Sequence, residues 1–426
     1  MFTRPCGTAL AAIIARSAAF VVAVLFTLAL EACASSPRAK RGTEDATANG
    51  STPQEQAQGN ADAATAIDSA ASETPSEPKA PQKLTLLFAG DIMAHKNNYS
   101  YPNFGAIWED VAPLVTSADL AFANVEAPVA NSLEWSTYPQ FNMHSNYVEA
   151  AIQAGFDVFS LANNHTNDKS LAGMQETRRW FARREGIWAC GIKEKANAPL
   201  TYQLVEKDGW RILFVAFTQV LNSWDSVAYI DYVQSTDEKQ AALVATLASL
   251  KAEHAPDLFV VSVHADEVEY KRTVWQKQKD FYHRLVREAG ADVVWSNHAH
   301  VVKPWELVPP SAETPHGALI MYANGNTISG QRTNPQFAAP DTERDWTGDG
   351  LMMTVTFTKL TDTASTIALN SYEPHFITTI LAADGQPVIR LLDDDLVRSM
   401  RRAGRPAWSD YLAARKQLME SMSEAK

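Results

Sequence analysis

Cysteine is nearly absent: the 426-residue chain has three, Cys6, Cys33 and Cys190. Cys6 lies in a leader-like start and Cys33 in a processing pattern, which leaves one internal thiol. No disulfide framework is available, and the fold must hold together by its core. Zinc sites built on thiolates are excluded for the same reason, so any metal must be held by His, Asp, Glu or Asn. Basic residues are also scarce, with 37 Lys and Arg against 49 Asp and Glu and a formal net charge of -12. That balance argues against nucleic acid as a partner. If the substrate is acidic, local cations must offset the field, and bound metal would do so.

What is present begins with a leader. Residues 1–17 carry Arg4 and Arg16 and no acid, and 18–30 form an apolar run too short to favour a spanning helix. We read 1–32 as a secretory signal. It ends Leu30-Glu31-Ala32-Cys33, which resembles the bacterial lipobox, where the cysteine is acylated and becomes the first mature residue. Cys33 is the expected lipidation site, which gives an extracytoplasmic protein anchored to a membrane. Residues 33–82 are Ala, Ser, Thr, Gln, Pro and acids with hardly a large apolar side chain, too few to repay the entropy of folding. They read as a tether.

From Lys83, apolar strand-like runs alternate with segments of helical period at 104–115, 147–154, 171–184, 238–254 and 275–289. That alternation predicts a layered α/β domain. A hairpin is expected at 201–217, where Lys207-Asp208-Gly209 separates two alternating runs. Runs at 319–323, 352–357 and 365–369 have no long helices between them and predict antiparallel pairing. From Asp384 the chain turns polar and reads as a helical tail over 384–426, with Trp408 and Tyr411 as docking points.

Five apolar runs end in groups that can ligate metal or move a proton. Asp91 follows 84–89, Glu126 follows 120–123, Asn164 and His165 follow 157–161, His264 follows 258–263, and His298 with His300 follows 292–295. Open α/β sheets place ligands at such strand ends. His298 and His300 point the same way if their segment is extended. With Asp91, Glu126, Asn164 and His264 they make six O/N donors, a number that suits two divalent ions of Zn, Mn or Fe. Open positions would remain for water, whose deprotonation supplies a nucleophile. His165 is placed to protonate a leaving group, with Asp168 three residues on to orient it. The bland alternative for 161–168 is an Asn/Asp-rich turn that satisfies its own backbone.

The order Gly-Asp-x-Met at 90–93, Asn-x-Glu at 124–126, Asn-Asn-His-x-x-Asp at 163–168, His264 followed by Glu269-Tyr270, and His-x-His-Val at 298–301 resembles the bacterial capsule-synthesis CapA family. That family is similar in fold to calcineurin-like metallophosphoesterases. The resemblance implies a four-layer αββα sandwich with mixed sheets over 83–383. It also implies metal ligation by Asp91, Glu126 as the bridge, Asn164, His264, His298 and His300, for one or two ions. His165 would be catalytic, and Glu269, Tyr270 and Asn326 would contact substrate. The implied partner is an anionic surface polymer such as poly-γ-glutamate or capsule. Met93 stands where many metallophosphoesterases place a histidine, and the 264–270 segment is one residue longer than the family pattern. A non-catalytic assembly factor, or a phosphoesterase, is the alternative.

Overall fold

The computed structural model describes residues 81–360 and 367–422. The leader, Cys33 and all but the end of the tether lie outside the described residues, as do 365 and 366. Fourteen strands are described: β1 (Gln82–Ile92), β2 (Leu120–Val125), β3 (Val158–Ser160), β4 (Trp188–Cys190), β5 (Tyr202–Lys207), β6 (Trp210–Thr218) and β7 (Leu258–His264) in the first part. Then come β8 (Val293–Asn297), β9 (Trp305–Val308), β10 (Ala318–Met321), β11 (Asn326–Ile328), β12 (Asp349–Lys359), β13 (Ile367–Leu381) and β14 (Pro387–Leu391). The helices are α1 (Lys96–Tyr99), α2 (Ala112–Val115), α3 (Ser145–Gln153), α4 (Ser170–Ala182), α5 (Asp237–His254), α6 (Gln276–Arg287), α7 (Glu343–Trp346), α8 (Asp394–Arg402) and α9 (Pro406–Glu420).

Two sheets form, ordered β14-β13-β12-β1-β2-β3-β4 with β11 also on β1, and β5-β6-β7-β8-β10-β9. Each has a parallel centre, β1 to β4 in one and β6-β7-β8-β10 in the other, with antiparallel strands outside. Alternation along the strands builds the layers. Leu84, Leu86 and Phe88 of β1 meet Ile212, Phe214 and Ala216 of β6 in a core between the sheets. Leu87 and Ala89 turn the other way into a core shared with Tyr147 and Val148 of α3. Leu213, Val215 and Phe217 turn outward onto Leu243 of α5 and Phe281 of α6. The result is the four-layer αββα sandwich with mixed sheets.

The hairpin of β5 and β6 pairs Lys207 with Trp210 across Asp208 and Gly209, both at positive φ, as a two-residue primed turn requires. Three expectations need correction. Residues 104–115 are not one helix but a 3₁₀ turn, Phe104–Ile107, followed by the one-turn α2. The strand expected at 365–369 is longer: its described part, from Ile367, opens the fifteen-residue β13. The segment after Asp384 is not all helix: β14 pairs with β13 and completes the first sheet before α8 and α9 begin. Tyr411 on α9 is buried, with its hydroxyl 2.6 Å from Asp345 Oδ1.

Candidate metal centre

Parallel strands deliver their C-terminal ends to one edge of the sandwich, and this positions the polar residues. Gly90 makes the approach possible: a Cβ there would lie 1.8 Å from Gly325 O. The strand therefore passes against the 324–326 segment and Asp91 N–H bonds Gly325 O at 3.0 Å. Asn124 and Glu126, two apart at the end of β2, share a side. The Asn124 amide donates to Asp91 Oδ1 at 2.8 Å and Glu126 Oε2 at 3.3 Å. Without that clamp two buried carboxylates would face each other unbridged.

Two groups of donors converge, Glu126 with His264 and His298, and Asp91 with Glu126 and His300, and in each the ligand atoms lie within 4.8 Å of one another. Glu126 belongs to both. In the first, His264 Nε2 is 3.8 Å from Glu126 Oε1, 3.1 Å from His298 Nδ1 and 2.9 Å from Asn164 Oδ1. Donors about 2.1 Å from one ion in a tetrahedral shell sit about 3.4 Å apart, so this spacing fits. In the second, His300 Nδ1 is 3.2 Å from Asp91 Oδ2, and His300 Nε2 is 3.7 Å from Glu126 Oε1.

Glu126 Oε1, the atom facing both groups, is buried without a hydrogen-bond partner, as is His264 Nδ1. Orphaned buried acceptors are rare, and an ion between the groups would satisfy this one. Burial and the adjacent Asp91 push the Glu126 carboxyl well above its ordinary range. Burial, reinforced by the neighbouring histidines, pushes His264 well below its ordinary range and His298 down to about 3. These imidazoles are neutral ligands in waiting.

His298 and His300 are not extended. Their φ angles are +104° and +56°, so a twisted loop rather than strand alternation sends both rings inward. Met93 is buried and offers no ligand, and His95 stands apart from both groups, its Nδ1 accepting from Gly330 N–H at 3.1 Å.

The 161–168 segment divides its work. Thr166 Oγ1 donates to Leu161 O, Asn167 reaches Ser223 O and Asp225 O, and Asn163 Nδ2 donates to Val125 O, all backbone duties of a turn. Asn164 joins His264, and His165 Nδ1 lies 2.7 Å from Asp168 Oδ2. The same carboxylate oxygen accepts from Phe141 N–H at 2.6 Å, and the Phe141 ring stands edge-on to His165 with centroids 4.8 Å apart. Asn222 Nδ2 lies 3.3 Å from His165 Nδ1 and 3.4 Å from its Nε2, over one edge of the ring.

His165, Asp168 and Asn222 line a cavity of about 1110 Å³ together with His95, Glu269, Tyr270 and Arg344. Asn326 does not line it. Its Oδ1 is 3.1 Å from His300 Nδ1 and its amide donates to His300 O, Gln331 Oε1 and Thr347 O. Its surroundings are therefore those of a residue orienting a ligand, not of one contacting substrate. Asn124, Phe141, Asn222 and Arg344 carried no sequence assignment. Only Asn124 had a local signal, its i, i+2 relation to Glu126 on a strand.

Residues 85–331 match the model of the family described as bacterial capsule synthesis protein PGA_cap. The chain is 25% identical over 280 residues to the capsule biosynthesis protein CapA of Bacillus anthracis, covering 63% of this chain and 65% of that protein. It is 27% identical over 258 residues to the PGA biosynthesis protein CapA of Bacillus subtilis (strain 168), covering 58% of this chain and 64% of that one. It thus spans a little under two thirds of the length of these relatives. Among solved structures, a hypothetical protein from Thermus thermophilus aligns over 69% of this chain and 98% of its own, with 18% identity and a TM-score of 0.42. A putative 5'-nucleotidase from Staphylococcus aureus aligns over 69% of this chain and 54% of its own, with 12% identity and a TM-score of 0.40. The family match takes in every strand-end residue above, from Asp91 to His300, and more than half of the 426 residues: the chain belongs to the bacterial capsule synthesis protein family.

Proposed function

We propose that the protein is a lipid-anchored, extracytoplasmic, metal-dependent hydrolase acting in the synthesis, processing or anchoring of an anionic surface polymer, poly-γ-glutamate or a capsule-like chain. One observation carries the reading: a single buried carboxylate, Glu126, is common to two ligand groups. Asp91, Glu126 and His300 would hold one ion, and Glu126, Asn164, His264 and His298 the other. When bound, divalent ions supply Lewis-acid polarisation and activation of water at neutral pH.

The chain's own residues supply orientation and a proton. Asp168 engages Nδ1 of His165, which leaves Nε2 as the nitrogen from which a proton can be delivered to the leaving group of an amide or ester in the cavity that His165 lines. Phe141 fixes both partners, Asp168 through its backbone N–H and the imidazole plane through its ring. The anchor and location rest on the sequence of 1–33. Among the described residues no helix is long and apolar enough to cross a membrane. Cys33→Ser is expected to release the protein from the membrane fraction, and retention there would refute the anchor.

Elemental analysis of the wild type, Glu126→Ala and His298→Ala tests the centre. Two divalent ions per chain, reduced in both variants, are expected. A protein that stays metal-free when divalent ions are supplied overturns the reading. A non-catalytic assembly factor is favoured by one feature, the lengthened 264–270 segment, in which Glu267 is buried in an ion pair with Lys303. That alternative predicts polymer binding unaffected by His165→Ala and no hydrolysis by either form.

A further inference from the structure

The cavity holds two arginines with different fates. Arg332 is buried and committed, with Nη1 2.8 Å from Asp349 Oδ1 and Nη2 donating to Thr378 Oγ1 and Thr379 O. Arg344 is exposed, and among the described residues its guanidinium has no carboxylate partner. It lies over the Tyr270 ring, Cζ to centroid 4.8 Å. Asp168, Asp225 and Glu269 also line the cavity among neutral polar side chains, and Arg332 is neutralised by Asp349, so Arg344 is the lining cation left to attract an anionic chain among the described residues.

Arg344 is held from below. Three consecutive residues of one loop are laced to α7, the helix that carries Arg344: Tyr270 beneath Arg344, Lys271 in an ion pair with Glu343, and Arg272 stacked 3.7 Å from the Trp346 ring. A capping box of Thr342 and Asp345 starts α7, and Asp345 Oδ1 accepts from Tyr411 and from Gln336 N–H. Tyr270 has a φ of +64°, a costly conformation for an aromatic residue that clusters at binding sites. Its ring is tilted 30° to that of His300, with centroids 6.0 Å apart. The sequence His300, Tyr270, Arg344 runs outward from the metal ligands to a preorganised planar cation. A guanidinium fork takes a carboxylate or a phosphate in two hydrogen bonds.

We propose that Arg344, seated on Tyr270, is the specificity residue that recognises an anionic group of the substrate polymer, a carboxylate or a phosphate. The proposal rests on the polymer-hydrolase reading. The test is calorimetric binding of γ-linked glutamate oligomers and, separately, of polyphosphate to the metal-loaded protein, as wild type, Arg344→Gln and Arg344→Lys, with metal content measured in each. Arg344→Gln is expected to weaken one of the two ligands about 10- to 100-fold. Arg344→Lys should recover part of this, since an ammonium lacks the planar fork. Metal content should match the wild type. A loss confined to polyphosphate keeps the Arg344 subsite and transfers the substrate to a phosphate polymer. Unchanged binding in Arg344→Gln overturns the subsite alone, and so does metal loss in that variant, which would mark a structural role. Failure of the wild type to bind either probe overturns the subsite and the anionic-polymer reading together.

Discussion

Replacing Asn326 by alanine separates ligand orientation from substrate contact. Asn326 Oδ1 sits 3.1 Å from His300 Nδ1, which is also 3.2 Å from Asp91 Oδ2. With its proton on Nδ1, the imidazole presents the Nε2 lone pair to the side of Glu126 Oε1, 3.7 Å away. Alanine removes the acceptor that helps fix this tautomer, together with the amide that ties His300 O to Thr347 O. Losing an outer partner of a ligating histidine costs 10- to 100-fold in metal affinity, about 1.4 to 2.8 kcal/mol at about 1.4 kcal/mol per decade. The loss should fall on one position only, because Glu126, Asn164, His264 and His298 make no hydrogen bond to Asn326. A titration with a competing chelator should therefore resolve one weakened and one unchanged site. Buried carbonyls left unpaired should also lower folding stability by about 1–3 kcal/mol. Two unchanged metal affinities with a raised KM for substrate would refute the reasoning and return Asn326 to the substrate.

Asp349 is buried between two guanidiniums, 2.8 Å from Arg332 Nη1 and 2.7 Å from Arg415 Nε, so Asp349→Asn should cost about 3–5 kcal/mol in urea unfolding; a loss below about 1 kcal/mol would mean the network carries little. Asp168→Asn should cut turnover by about 10²- to 10⁴-fold with metal content intact, and a parallel loss of metal would refute its role as the orienter of His165. Burial raises the Asp231 carboxyl to about 6, against the hydrogen bonds from Thr201 and the nearby Lys193. The neutral acid is then favoured in the fold, and its stabilisation, complete below about pH 4, is lost as pH rises toward 6, by about 3 kcal/mol in all. Unfolding of wild type and Asp231→Asn should show the wild-type advantage shrinking over that range, whereas a constant difference would refute the shift.

Strand ends were legible because apolar runs and the polar residues that stop them are local signals. Asp91, Glu126 and His264 sit on those ends, and the two-residue turn at Asp208-Gly209 announces its own backbone geometry. His298 and His300 converge by positive φ values, which alternation cannot foresee, so the two side chains come together by a geometry other than the extended segment expected. The 104–115 stretch has helical spacing yet breaks into two turns, and Pro113 at the start of α2 is one cause, since it gives no backbone N–H to bond the turn before it. What stayed hidden was long-range polar pairing. Nothing near Arg332 in the sequence points to Arg415, and nothing near Tyr270 points to Arg344, because such partners are set by topology and leave no period to read.

The donors of the metal centre come from opposite sides of the sandwich: Asp91 and Glu126 from the sheet that holds β1 and β2, His264 from the one that holds β7. An ion shared by Glu126 and His264 is consequently a rivet through two plates otherwise pressed together by apolar contact. Its binding energy enters the fold directly, about 2.7 kcal/mol when free ion stands at a hundred times its dissociation constant. For such a molecule a chelator is a mild denaturant, and the melting temperature becomes a gauge of the free-ion concentration around it.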